Sequence, residues 1–289
     1  MPQSLVEKWI LHRLNQTAQQ LNQDMLQRSF MSATSCVYNF WLYDLCDVYI
    51  EAIKPITDAG ADPSARLSAQ HTLYACLDAG LKLLHPFMPF VTEELWHRLP
   101  QRPQETAETI AHARFPEWQA VHDFGKEAAH FDDVFATVRA VRGLAADYGL
   151  TSKIQAFVEV PNNEYRAVLE SQCSVMHTLI KGCEKIVCVP AASEVPPGCV
   201  VASVSSSIQV HLLVSGLVDF DQELSKLAKK LTLNETQLQR TTALTQKPDW
   251  SKTPEDVRAH TQKRLDDLEA EKAALLQAQA NFDKLRSSA

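Results

Sequence analysis

Cysteines and a histidine cluster between residues 173 and 199, and this is the part of the sequence closest to a metal-binding pattern. Zinc in proteins prefers thiolate and imidazole ligands, which come in closely spaced pairs. The spacings of Cys173, His177, Cys183, Cys188 and Cys199 match no standard pair. We therefore predict apolar cysteines in a small core and no metal site. The chain has seven cysteines, an odd number without a repeating spacing, which argues against a disulfide framework.

Paired carboxylates could act as a general acid and base, and they occur at Glu93 with Glu94 and at Asp132 with Asp133. Adjacent residues of a helix point in different directions, so neither pair is expected to converge. We expect both pairs on solvated faces or in the first turns of helices, where the helix dipole favours negative charge. Glycine-rich nucleotide loops are missing, and the chain has only eight glycines. We predict no catalytic residue, and the sequence indicates a binding module.

Basic residues that could bind RNA phosphates are concentrated near the C-terminal end. The net charge of −7 disfavours nucleic acid, but from Gly216 onward 12 Lys and Arg balance 12 Asp and Glu. The basic residues there predict an RNA-binding stripe with Trp250 between two lysines. The alternative is a solubilising face with ion pairs between helices. The stripe consists of Lys226, Lys229, Lys230, Arg240, Lys247, Trp250, Lys252, Arg258, Lys263 and Arg264.

The elements that must position these residues are mainly helical. A capping box formed by Ser4 and Glu7 predicts the start of the first helix. Apolar residues at helical spacing predict four further helices, over about residues 32–52, 64–84, 92–99 and 127–148. Pro55 is expected to end the second of the five helices, because proline lacks the backbone N–H. Antiparallel helices joined by short loops make a bundle.

After Gly149 the period of the apolar residues changes. Apolar or alternating runs predict strands over residues 154–160, 185–189, 200–204 and 208–214, with a helix over 164–181. From Asp221 leucines recur at steps of three and four, and a break over 247–254 precedes a second such seam. The predicted fold class is mainly α. It consists of a helical bundle (1–149), a small α/β (βαβββ) unit (150–218) and a C-terminal antiparallel coiled-coil hairpin (219–289).

Several segments resemble the anticodon-binding region of class I aminoacyl-tRNA synthetases for branched aliphatic amino acids. The most specific is 84–96, LHPFMPFVTEELW, which is similar to a signature shared by valyl, isoleucyl and leucyl members. Its prolines are expected to fix a bend whose aromatic residues are buried. The break at 247–257 is a feature of valyl members, and residues 42–51 are closest to eukaryote-type valyl enzymes. Further similar segments are 4–14, 40–55 and 138–148.

The resemblance implies the C-terminal, tRNA-binding part of a valyl-tRNA synthetase, with tRNA-Val as its partner. It implies that the bundle reads the anticodon and that the hairpin braces the outer corner of the tRNA. Tyr43 could stack on bases, whereas Phe40 and Trp41 are expected to fill the core. Arg28 and Lys54, at helix ends, could bind phosphate or simply compensate helix dipoles.

The family's catalytic domain uses ATP and carries His-x-Gly-His and Lys-Met-Ser-Lys-Ser motifs, which do not occur in this sequence. We therefore expect a fragment that has no cofactor of its own and is inactive alone. The sequence shows no signal peptide and no long apolar run, so a cytoplasmic protein without membrane contact is expected. An alternative stays open: a stand-alone coiled-coil module that docks in a multi-synthetase or translation-factor assembly.

Overall fold

The computed structural model describes residues 2–58, 60–100, 106–215 and 220–245, together with ten separate helical residues between 258 and 279. Within residues 220–230 it describes the side chains of Leu224, Ala228 and Lys229. The ten separate residues are 258, 261, 262, 264, 265, 268, 269, 272, 276 and 279.

The first part of the chain is the predicted helical bundle. Its long helix α1 packs against the helices that follow it, and the core between them includes Trp9, Phe40, Tyr49 and Phe131, all nearly free of solvent. The helices are α1 (Leu5–Leu26), α2 (Phe30–Asn39), a π-helical segment (Phe40–Ile50), α3 (Glu51–Thr57), α4 (Pro63–Leu84), α5 (Pro89–Arg98) and α6 (Gly125–Asp147).

The N-terminal cap of α1 confirms half of the predicted capping box. Ser4 Oγ accepts a hydrogen bond from the backbone N–H of Glu7 at 3.3 Å. The Glu7 carboxylate reaches one residue further back than expected, because it accepts from the backbone N–H of Gln3 at 2.7 Å. The same carboxylate accepts from Ser68 Oγ at 2.6 Å, which ties the start of α1 to α4.

The second predicted helix is longer than expected. It begins at Phe30 and runs without a break through the π-helical segment to Thr57, so the predicted end at Pro55 is wrong. Pro55 lies in the last turn of the helix, which ends two residues later at Thr57. Its missing N–H removes one backbone hydrogen bond there without breaking the helix earlier. Thr57 Oγ1 donates to the carbonyl of Lys54 at 2.9 Å within this last turn.

The α/β unit has the four predicted strands. Their order in the sheet is β2-β1-β4-β3, with β1 parallel to β2 and the other two pairs antiparallel. The helix predicted over 164–181 is two helices, because Ser171 and Gln172 separate them. The elements are β1 (Ile154–Glu159), α7 (Asn163–Glu170), α8 (Cys173–Leu179), β2 (Cys183–Val189), β3 (Cys199–Ser203) and β4 (Gln209–Leu213).

The sheet packs on α6, and one apolar core runs through both parts. Polar contacts reinforce this junction. Arg142 on α6 donates through Nε to the carbonyl of Leu179 at 2.9 Å, and the Tyr165 hydroxyl donates to the Asp133 carboxylate. The position of the bundle is therefore set partly by the sheet that follows it.

Helix α9 (Phe220–Thr245) lies where the sequence predicts the first helix of the hairpin. Asn234 Nδ2 donates to the carbonyl of Leu268 at 3.3 Å, and Lys272 pairs with Glu235 at 2.8 Å. Leu265 and Leu268 are buried. Helical residues beyond 258 thus contact α9, whereas the predicted break at 247–254 lies outside the described residues.

The turn before β2 requires glycine. Gly182 has φ +79°, and a Cβ there would collide with the backbone of Thr151 and Ser152. We expect Gly182→Ala to lower the free energy of unfolding by about 1–3 kcal/mol, measured by urea denaturation.

The matched control is Gly143→Ala on α6, where nothing lies within 4 Å of the position that the added methyl group would take. This change should leave the free energy of unfolding equal or raise it by up to about 1 kcal/mol, because alanine favours helix. Equal stability of the wild type and Gly182→Ala would show that the turn does not have this conformation.

Candidate nucleic-acid interface

The three predicted anticodon-binding residues are all exposed, but the structure does not bring them together. Arg28 lies in the turn between α1 and α2 with φ 60°. Tyr43 lies on the π-helical segment and Lys54 on α3. Because α2, the π-helical segment and α3 are continuous, a rise of about 1.5 Å per residue separates Arg28 from Lys54 by roughly 40 Å. Both cannot contact the same nucleotide.

Lys54 has an alternative partner, since its Nζ lies 2.6 Å from the Glu51 carboxylate. The pair is exposed, so water and salt screen it. Arg28 keeps an exposed side chain at the bundle end where α1 meets α2.

The aromatic residues divide as predicted between core and surface. Phe40 is buried, and half-buried Trp41 donates from Nε1 to the carbonyl of Gly80 at 3.3 Å. Tyr43 is 53% exposed and packs edge-to-face on Tyr38, with ring centroids 6.0 Å apart. Tyr38 is itself 57% exposed. The sequence did not indicate this, because Tyr38 lies within a predicted helix whose wide apolar stripe is expected to bury aromatic residues.

An apolar groove of about 500 Å³ adjoins Tyr38 and separates α2 from the turn between α4 and α5. The prediction that this turn buries its aromatic residues holds in part for Phe87, which is half-buried against the core, and is wrong for Phe90, which is 90% exposed. Met88 between them is 50% exposed. Pro89 is the first residue of α5, and Phe90 therefore starts a helix whose outer side faces solvent. The groove is lined by Thr34, Ser35, Val37, Tyr38, Asn39, Trp41, Leu84, Phe87 and Met88.

A polar cleft of about 440 Å³ lies on the other side of α2, between α1 and the π-helical segment. The wall of the cleft that belongs to α1 is a row of glutamines at steps of three and four. In the sequence alone, such a row cannot be distinguished from an ordinary solvated helix face. The cleft is lined by Arg13, Gln16, Thr17, Gln19, Gln20, Gln23, Cys36, Asn39, Phe40 and Asp44.

Arg13 is held at this cleft by Asp132 of α6. The Asp132 Oδ1 atom accepts from Arg13 Nη2 at 2.7 Å and from Trp9 Nε1 at 2.9 Å. Asp132 keeps 46% of its side chain exposed, so it lies on a partly solvated face as expected. Asp132 and Asp133 also point apart, since Asp133 is directed toward Tyr165. Glu94, in contrast, forms a highly exposed pair with Arg98.

The carboxyl of Asp44 has an altered acidity. Burial raises the pKa of Asp44 to about 6, against the lowering effect of the Arg13 guanidinium. The nearby Asp132 also raises it. Burial likewise raises the pKa of the Cys36 thiol in the same cleft. The charged side chains that line the cleft are thus one basic residue, Arg13, and one carboxylate, Asp44.

The cysteines between residues 173 and 199 are distributed over the α/β unit. Cys188 is buried on β2, and its Sγ lies 3.9 Å from Sγ of half-buried Cys173. Among the described residues no three His, Cys, Asp or Glu side chains lie close enough to hold a metal ion. None of the helices in the described part of the chain has the length and apolarity needed to cross a membrane.

The predicted RNA-binding stripe is only partly described. Lys226, Lys229, Lys230 and Arg240 belong to α9, and the side chains of Lys229 and Arg240 are exposed. Arg258 and Arg264 are also exposed. Lys247, Trp250, Lys252 and Lys263 lie outside the described residues, so the stripe stays a prediction.

Comparison with known proteins decides the family. Residues 7–160, which span the bundle and β1, match the family model described as the anticodon-binding domain of tRNA ligase. The chain belongs to this family. The sequence resemblance to anticodon-binding regions is thereby confirmed.

The similar curated proteins are valine–tRNA ligases. A mitochondrial one from Saccharomyces cerevisiae is 43% identical over 229 residues, which is 79% of this chain and 21% of the relative. The human one is 37% identical over 286 residues, or 98% of this chain and 22% of the relative. The chain therefore spans about a fifth of the length of these relatives, and the resemblance to valyl members is confirmed.

The polar cleft of this anticodon-binding domain makes its stability depend on pH. A raised Asp44 pKa means that folding favours the protonated carboxyl, so the stability from this group is lost as pH rises from about 4 to about 6. Asp44→Asn should remove this dependence and make the variant more stable than the wild type at about pH 7.5. Thermal unfolding of both proteins across this pH range measures the difference.

Asp47→Asn is the matched control, because Asp47 is exposed on the same segment. The control should retain the pH dependence of the wild type. A difference between wild type and Asp44→Asn that stays constant with pH would contradict the burial of the Asp44 carboxyl.

Proposed function

We propose that the chain is the tRNA-binding region of a valine–tRNA ligase and that its bundle reads the anticodon of tRNA-Val. The observation that carries the proposal is the anticodon-binding family match over residues 7–160. Valine–tRNA ligases that align with 98% of the chain support the choice of amino acid. In a whole ligase, binding here would orient the tRNA acceptor end toward an ATP-using catalytic domain. The cytoplasm is the expected compartment, although two similar proteins are mitochondrial.

The exposed pair of Tyr38 and Tyr43 supports base stacking on the bundle. Aromatic faces on a protein surface stack on unpaired bases, as an anticodon loop provides. Arg28 lies at the α1–α2 end of the bundle and would contact phosphate. Lys54, at the opposite end of the continuous helix, would contact a different part of the tRNA and would share its charge with Glu51.

We further propose that α9 and the helical residues beyond 258 form an antiparallel coiled-coil hairpin. The contacts of Asn234 with Leu268 and of Glu235 with Lys272 support the pairing. The tip around residues 247–254 would then lie far from the bundle and brace the outer corner of the tRNA through the basic stripe. This contact would read shape and phosphates rather than sequence.

The hairpin proposal predicts that tip and bundle variants have different effects. Lys247→Glu combined with Lys252→Glu should weaken the binding of tRNA-Val and of a non-cognate tRNA by the same factor. It should also reduce the slope of log affinity against log salt by roughly 0.7–0.9 for each phosphate that the tip no longer neutralises. Tyr43→Ala should instead reduce the preference for tRNA-Val. Competition binding with both tRNAs at several salt concentrations measures these effects.

A tip variant with unchanged affinity for both tRNAs would refute the brace. The second candidate function, a docking module in a synthetase or translation-factor assembly, would then be favoured. The exposed apolar groove beside Met88 and Phe90 is the observation that favours a docking module. Pairing of the leucine seam within the chain is against it, since a paired seam has no surface left for a partner.

The isolated chain should not activate valine. Its sequence has neither nucleotide-binding motif of the family, so we expect no valine-dependent ATP–pyrophosphate exchange above a blank without protein. A full-length valine–tRNA ligase serves as the positive control. Exchange that persists in the purified chain and disappears when valine is omitted would contradict the proposal.

A further inference from the structure

Two thiols of the α/β unit face each other where α8 packs on β2. Cys173 is the first residue of α8, and Cys188 lies on β2. Their Sγ atoms are 3.9 Å apart, whereas the sulfurs of a disulfide are separated by about 2.05 Å. Both side chains are free thiols. An approach of the two sulfurs by roughly 2 Å would therefore join them.

The two thiols are held to different degrees. Cys188 pairs with Val158 in the parallel ladder of β1 and β2, so the sheet fixes its backbone. Cys173 follows the bend at Ser171 and Gln172, which separates the two short helices α7 and α8. Such a bend adjusts more readily than a hydrogen-bonded strand. The movement that brings the sulfurs together is thus expected on the side of Cys173.

The surroundings make Cys173 the more reactive of the two thiols. Its side chain is half-buried, whereas Cys188 is only 8% exposed. The hydrogen bond with Cys188 lowers the pKa of the Cys173 thiol, against the raising effects of burial and of Glu170. The same hydrogen bond and burial raise the pKa of Cys188, and Arg166 acts in the opposite direction. Since the thiolate is the nucleophile, an oxidant would react first at Cys173.

We propose that Cys173 and Cys188 are a reversible oxidation site that reacts with hydroperoxides. The Cys173 sulfur attacks an oxygen of the peroxide, the O–O bond breaks, and Cys173 becomes a sulfenic acid while water or an alcohol leaves. The Cys188 sulfur then attacks the sulfenic sulfur, the S–O bond breaks, and hydroxide leaves as water with the proton of Cys188. Two thiols and one hydrogen peroxide give one disulfide and two water molecules. A dithiol reductant reverses the reaction by thiol–disulfide exchange.

The disulfide acts on the junction between the α/β unit and the bundle. Helix α8 packs on α3, and the carbonyl of Leu179 at its end accepts from Arg142 of α6. A covalent bond from the start of α8 to β2 fastens the helix that makes these contacts. A cross-link also restricts the unfolded chain, which stabilises the folded state. The oxidised chain is therefore expected to unfold at a higher temperature than the reduced chain.

The test uses the purified full chain, which is reduced and then treated with hydrogen peroxide. The remaining thiols are labelled with N-ethylmaleimide after denaturation and counted by intact mass. The reduced wild type should take up seven labels, one for each cysteine, and the oxidised wild type two fewer. Peptide mapping should show Cys173 linked to Cys188, and dithiothreitol should restore all labels. The midpoint of thermal unfolding should rise by about 3 °C or more on oxidation.

Serine variants separate the roles of the two thiols. In Cys188→Ser the reaction should stop at the sulfenic acid of Cys173, which dimedone labels. Cys173→Ser should give no dimedone adduct at Cys188. Cys183→Ser is the matched control, because Cys183 is a half-buried thiol at the start of the same strand. The control should form the cross-link as the wild type does.

Peptide mapping of the wild type decides the site even if a serine variant does not fold. A link from Cys173 to Cys183 would overturn the proposal, as would oxidation of the exposed Cys46 with Cys173 and Cys188 left as thiols. Loss of the cross-link in Cys183→Ser would overturn it as well. A cross-link that does not raise the midpoint of thermal unfolding would refute its action on the junction.

Discussion

Buried polar side chains on α1 are the constraint on which the bundle depends. Glu7 and Asn15 are 1% and 3% exposed, and each would cost roughly 1–3 kcal/mol if left without a partner. Glu7 is satisfied by Gln3 and Ser68. Asn15 exchanges two hydrogen bonds with the backbone of Gln119, at 2.7 and 2.9 Å. These bonds fix the N-terminus, α4 and the irregular segment before α6 around one central helix.

The same helix determines where RNA-binding groups can lie. Asp132 of α6 accepts hydrogen bonds from both Trp9 and Arg13 of α1. The Arg13 side chain at the edge of the polar cleft is therefore fixed between these two neighbouring helices. The opposite wall belongs to α2 and the π-helical segment, which also present Tyr38 and Tyr43 to solvent. If the bundle contacts an unstacked base as proposed, an exposed aromatic pair on a fixed helix would need little rearrangement to hold it.

Sequence patterns predicted the elements whose signal is local. The cap at Ser4, the apolar spacing of the long helices and the alternation in β1 and β4 all correspond to observed structure. The π-helical segment could not be predicted, because a wide apolar stripe is equally consistent with an ordinary helix; the buried Phe40, Leu45 and Tyr49 follow steps of five and four. The cleft was missed because residues of α1 and the π-helical segment meet only in the tertiary structure. The exposure of the predicted anticodon residues could be anticipated. So could the roughly 40 Å between Arg28 and Lys54, because it follows from the length of the predicted helix between them.

The central claim is that the bundle itself contacts the anticodon, and hydrogen exchange tests it most directly. Amide exchange of the full chain is measured with and without an anticodon stem–loop of tRNA-Val. The account predicts slower exchange in the cleft-lining parts of α1 and of residues 36–44, and little change with a stem–loop of another anticodon. Slower exchange confined to α9, or an unchanged bundle at RNA concentrations that saturate binding, would contradict it.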